Sequence, residues 1–253
     1  MILFLIILTT FLISLISFVG ALTLFLKAKI LDKILLILIA FSAGSLLGDA
    51  FFHLIPETIE EAGKADEKLI LNIFIYLIFG FCIFFILEDF ISWHHHHETR
   101  HPEIKSFSYL ILFSDAVHNL IDGLIIGASF LVSLPLGLAS AIAIMSHEIP
   151  QEIGDFSLLI YGGFKKQKAL FFNFLSGILA IFGGVLGFFL AGKVEGSLVF
   201  LLSFAAGSFI YIACSDIIPE IKNKKEGLLK SIIYFLFFLS GLGMMFLIKI
   251  LFH

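Results

Sequence analysis

Charge is what this sequence has least of. Its 16 Lys+Arg and 20 Asp+Glu make up 14% of 253 residues, while 60% are hydrophobic; an ordinary globular domain is about 25% charged. So little polar surface cannot clothe so large an apolar fraction in water. A water-soluble domain is excluded, and the lipid bilayer becomes the chain's standing partner. A net charge of −4 offers no basic face for nucleic acid. Only two cysteines occur, Cys82 and Cys214, each inside an apolar run, so no disulfide framework is implied. Five prolines leave room for long helices, and 32 phenylalanines do not suit a disordered chain. No basic residue precedes the apolar stretch 2–26 and no small-residue cleavage site follows it, so it reads as a retained span.

What is present are long apolar runs. A membrane helix needs about 20 mostly apolar residues, and eight segments qualify: 2–26, 33–55, 69–93, 106–131, 136–162, 168–191, 197–218 and 228–251. None alternates with period two, so the expectation is an all-α integral membrane protein, one transmembrane domain over residues 1–253. Ser133, Leu134 and Pro135 with their neighbours are all that separates spans 4 and 5, which must be antiparallel neighbours. Loops after spans 1, 3, 5 and 7 hold twelve basic residues against four on the other side. That bias predicts both termini outside, in a plasma or inner membrane, with the His-rich loop 94–105 in the cytosol.

The chain also echoes itself. FSAGSLLGDAFFHLIPE (41–57) aligns without gaps on FAAGSFIYIACSDIIPE (204–220), identical at eight of seventeen positions. These are spans 2 and 7, five apart, so they cross in opposite directions. An inverted repeat of spans 1–3 and 6–8 around spans 4 and 5 follows, an architecture transporters use to build two alternating faces.

The chemistry sits in the central pair. Span 4 carries SDAVHNLIDG (114–123) and span 5 carries HEIPQEIGD (147–155). His118 is twelve residues into its span and His147 eleven, which at about 1.5 Å per residue sets both near the bilayer midplane. Positions four apart share a helix face, stacking His118 on Asp122, His147 on Gln151 and Glu148 on Glu152, with Asn119 and Asp115 alongside. A carboxylate at that depth costs about 2.5–3.5 kcal/mol on insertion scales. Neither span has a lysine or arginine near Asp122, Glu148 or Glu152; a bound cation or protons must balance them. Mixed nitrogen and oxygen donors favour a borderline transition metal, zinc first. Pro150 cannot donate to the carbonyl of Ser146, so a kink is expected there.

At these residues the sequence resembles the ZIP family of divalent-metal transporters. HNLIDG matches the family's His-Asn-x-x-Asp-Gly pattern, and HEIPQEIGD its His-Glu-x-Pro-x-Glu-x-Gly-Asp pattern. The resemblance extends over nearly the whole chain: eight spans, external termini and a His-rich loop between spans 3 and 4. It implies a binuclear centre. His118, Asp122, His147 and Gln151 would form the main site; Asn119, Glu148 and Glu152 would serve a neighbouring one, with Gln151 touching both. It also implies a homodimer. Two positions depart from the pattern. Gln151 stands where many relatives have His or Glu. Span 6, from which some relatives supply a carboxylate, offers only Asn173 and Ser176.

The expected function is passive movement of zinc, with iron, manganese or cadmium as further substrates, into the cytosol by alternating access, without an organic cofactor or enzymatic chemistry. His53 at the external mouth, Asp49 one turn deeper and Asp216 at the cytosolic mouth are the expected pathway ligands. His94, His95, His96, His97 and His101, in WHHHHETRH, form a metal trap on the loop. The main rival is an intramembrane metalloprotease: HEIPQ is one residue from His-Glu-x-x-His, but Gln151 removes a required imidazole. A metal-gated channel or sensor would use the same site as the carrier.

Overall fold

A computed structural model describes residues 1–25, 28–61, 63, 67–95, 104–190, 195–223 and 227–252. Every regular element among them is a helix. α1 (Ile2–Ser14) continues as a 3₁₀ segment (Leu15–Phe25). α2 (Ala28–Asp49) passes through a π turn (Ala50–Leu54) into α3 (Ile55–Glu61). α4 is Glu67–His95, α5 Ser106–Val132 and α6 Leu134–Tyr161. The sixth span divides into α7 (Lys166–Gly177) and α8 (Leu179–Leu190). α9 (Glu195–Tyr211) runs through a second π turn (Ile212–Ile217) into α10 (Ile218–Asn223), and α11 is Leu228–Phe252.

Seven helices among the described residues are long and apolar enough to cross a membrane: Ile2–Ala21, Ile34–Glu60, Lys68–Phe90, Ser106–Val132, Lys166–Leu190, Leu198–Asn223 and Leu228–Leu251. The remaining expected span corresponds to α6. At 28 residues it is as long as these, but it carries the polar nonapeptide. The burial pattern is that of a protein dissolved in lipid. Phe74, Ile78, Phe85 and Ile86 of α4 and Phe235, Leu236, Phe246 and Ile250 of α11 are exposed, whereas Ser108, Ser114, Asp115, His118, Asn119 and Asp122 of α5 are buried. Polar groups turn inward because hydrocarbon cannot hydrogen-bond to them.

The helices pack as α2 on α11, α4 on α9 and α5 on α8, with α1 and its 3₁₀ extension against α6, α7 and α8. Glycines set the closest crossings. A Cβ on Gly44 would land on the Phe238 carbonyl, and one on Gly241 on that of Phe41; a Cβ on Gly207 would land on Leu77, and one on Gly80 on Phe204. Gly44 and Phe41 are the residues that align with Gly207 and Phe204 in the sequence echo. The two π turns also fall at aligned positions. α6 continues as helix through Pro150, and π turns interrupt the second and seventh spans.

Candidate metal centre

One residue joins α5 to α6. Ser133 is extended (φ −162°), ends the first helix and caps the second, its Oγ accepting the Leu136 amide at 3.2 Å. Pro135 follows in the first turn, where its missing N–H costs nothing. Ser140 Oγ donates to Ser129 Oγ across the hairpin at 3.0 Å. His118 lies fifteen residues before Ser133 and His147 fourteen after it. The tight turn therefore brings both imidazoles to the same level.

There the side chains converge. Asp122 Oδ2 is 3.2 Å from His147 Nε2 and 3.6 Å from His118 Nε2, and Glu148 Oε1 is 3.3 Å from His118 Nε2 and 4.0 Å from His147 Nε2. The imidazole rings are 5.5 Å apart, and Phe209 of α9 lies 5.2 Å from His118. All four residues are buried, and one donor atom from each lies within 4.8 Å of the others. Zinc bonds of about 2.0–2.1 Å place tetrahedral donors about 3.4 Å apart, close to the spacings here. Both nitrogens of His118, Nδ1 of His147 and Oε1 of Glu148 are buried without a hydrogen bond. Buried polar atoms are rarely left this way, and a cation arriving in the quartet would satisfy His118 Nε2 and Glu148 Oε1 together.

The other sequence-predicted ligands surround this quartet in distinct ways. Gln151 is buried beside Asp49. His53 is 3% exposed, its ring 5.5 Å from that of His147 and its Nδ1 3.5 Å from Asp49 Oδ1. The structure thus sets Asp49 and His53 against the quartet rather than at a remote mouth. Asn119 turns its amide nitrogen to Asp115, donating to Oδ1 at 2.8 Å, and leaves Oδ1 of its own open. Glu152 accepts hydrogen bonds from Ser17 Oγ on one oxygen and from Asn173 Nδ2 on the other. Asp216, in the second π turn, is in electrostatic contact with Glu88 of α4, which also accepts the Tyr211 hydroxyl. Of the loop ligands, His96, His97 and His101 lie outside the described residues, and of His94 and His95 only the backbone, at the end of α4, is described.

Two contributors were missed by sequence reasoning. Ser17 belongs to a buried stripe on span 1, Thr10, Ser14 and Ser17, whose three-to-four residue spacing marked a polar face. Glu57, half-buried and in electrostatic reach of Asp122 and His147, was legible only as the residue aligned with Glu220 in the two Ile-Pro-Glu stretches.

Comparison with known proteins identifies the family. The family model described as ZIP zinc transporter matches residues 2–108 and 94–249. The chain is 30% identical to zinc transporter zipt-7.1 of Caenorhabditis briggsae over 85% of its own length and 71% of that protein's. It is 38% identical to the metal cation symporter ZIP14 of Bos taurus over 58% of its length and 31% of that protein's. With zinc transporter foi of Drosophila melanogaster, identity is 35% over 59% of this chain and 21% of the relative. The chain thus spans most of the first relative but only a third or less of the other two. It belongs to the ZIP zinc-transporter family, a family of membrane transporters and not of enzymes.

Proposed function

We propose that the protein carries divalent transition-metal ions, zinc foremost and iron, manganese or cadmium as alternatives, across the membrane into the cytosol. The observation that carries this reading is the buried His118–Asp122–His147–Glu148 quartet on a hairpin of two helices. Two carboxylates and two imidazoles match the charge and softness of one such ion. The eighth crossing is α6, kept in the membrane because its polar face meets the other helices and not lipid. Helices α7 and α8 together form the sixth crossing, and both termini lie outside a plasma or inner membrane.

The inverted repeat gives the motion. Span 2 packs on span 8 and span 7 on span 3 through aligned glycines, and aligned π turns interrupt spans 2 and 7. Meanwhile spans 1 and 6 are tied to spans 4 and 5 through Ser17, Asn173 and Ser176. Two bodies result, one carrying the ion and one framing it, and their relative movement exposes the quartet to either side in turn. At the end of the bundle assigned to the cytosol, Lys105 Nζ is 2.8 Å from Glu220 Oε1 and 4.3 Å above the Tyr161 ring, while the Tyr161 hydroxyl donates to Glu220. This contact joins the two bodies and must part for release. Protons compete with metal for the same lone pairs and favour unloading.

The test is uptake by liposomes that contain the purified protein and a zinc-sensitive dye. Saturation with external zinc supports a carrier, whereas a signal no greater than in protein-free liposomes contradicts it. Deleting residues 94–97 is expected to leave at least half the maximal rate and to shift only the half-saturating concentration. Complete loss of uptake would place the His-rich loop in the conduction path.

A further inference from the structure

The family resemblance implies two metal ions side by side. We infer that this chain binds only one, because hydrogen-bond donors from the first and sixth spans occupy the place of the second. The inference rests on the transport reading above.

Of the ligands expected for a second ion, Glu148 already belongs to the first, its Oε1 3.3 Å from His118 Nε2 within the quartet, and Gln151 lies beside Asp49. Glu152 has both oxygens engaged, one by Ser17 Oγ and the other by Asn173 Nδ2. The orientation of the Asn173 amide is set by two acceptors, since its nitrogen also reaches the Ser17 carbonyl at 3.3 Å. Two neutral amide oxygens, Asn119 Oδ1 and Asn173 Oδ1, remain open. Neutral amide oxygens with no free carboxylate beside them cannot hold a second dication.

Of the acids beside it, Asp115 offers no replacement. Asp115 takes Asn119 Nδ2 on Oδ1 and Ser176 Oγ on Oδ2. Asp122 and Glu148 supply two negative charges, which one divalent ion balances. A second ion would have to strip four donors from Glu152 and Asp115. The donors are built in and are not incidental: a Cβ on Gly177 would collide with Ser17 Oγ, and Ser14 Oγ holds the Gly177 carbonyl at 2.6 Å. Ser17, Asn173 and Ser176 are all buried. Span 6 therefore does supply this site, with donors in place of a carboxylate.

The experiment uses the full chain with His94, His95, His96, His97 and His101 changed to alanine, so that loop binding does not enter the count. Equilibrium dialysis of the detergent-purified protein against zinc should give one ion per chain. X-ray absorption should lack the zinc–zinc scattering expected at about 3.5–4 Å in a two-metal site. Asn173→Asp removes the donor and adds a carboxylate, and is expected to raise the count to two. Two ions in the parent protein would overturn the inference and leave the transport reading standing. No bound ion would overturn the transport reading itself. One ion in a folded Asn173→Asp variant would overturn the role given to Asn173; should that variant not fold, the parent's absorption spectrum decides.

Discussion

His147→Ala is expected to lower saturable zinc uptake on the order of a hundredfold or more, and Asp122→Ala to do the same. Changes to groups that merely support a metal ligand already cost about 10–100-fold, and in the proposed site these two residues would hold the ion themselves. His147 Nε2 and Asp122 Oδ2 are 3.2 Å apart and share the quartet from opposite helices. Losing the imidazole leaves Asp122 and Glu148 buried with one fewer neutral donor to complete the metal shell. Losing the carboxylate leaves one negative charge to face a dication. Ligand loss is separable from misfolding because a bound ion stabilises the folded state by mass action. The melting temperature of the parent protein should rise with added zinc, while the variants should melt at similar temperatures with or without it. Uptake within twofold of the parent in either variant would sink the assignment.

The second large effect is on stability. Gly44→Ala and Gly207→Ala each place a methyl group on a neighbouring backbone carbonyl, Phe238 in one case and Leu77 in the other. Neither carbonyl can move without its helix. Overpacking of this kind costs about 1–3 kcal/mol, and the two losses should be similar because the positions align in the sequence echo and meet a neighbouring carbonyl in the same way. Gly243 is the control: nothing lies within 4 Å of a Cβ there, and alanine in a helix is intrinsically favoured over glycine by about 1 kcal/mol. Thermal unfolding in detergent reads all three. A drop for one repeat mate and none for the other would count against the internal symmetry.

Much of this fold was legible because hydrocarbon imposes a simple rule: long apolar runs become helices. Three members of the quartet, His118, Asp122 and His147, were legible for a related reason, whereas Glu148 was expected at the neighbouring site. His118 with Asp122 and His147 with Glu148 lie on regular helices, where side-chain direction follows from position, and the short turn at Ser133 fixed their relative depth. Gln151, predicted from the motif, is buried beside Asp49.

What stayed hidden depended on irregular backbone or on distant partners. A π turn between Asp49 and Ile55 puts an extra residue into the winding, so the 3.6 period no longer tells which way His53 points. The hold of Ser17 on Glu152 links residues 135 apart in the chain, and that of Asn173 links residues 21 apart across two helices. Neither follows from local pattern. The composition of α6 was itself ambiguous, since the residues that make it functional also dilute its apolar signal.

The single-residue joint at Ser133 has a mechanical corollary. Two arms hinged so tightly, and pinned again between Ser129 and Ser140, cannot slide along one another, so His118 and His147 keep their separation as they travel. An ion gripped on one side of the membrane should then meet the same jaws on the other, and discrimination among metals would be decided at capture.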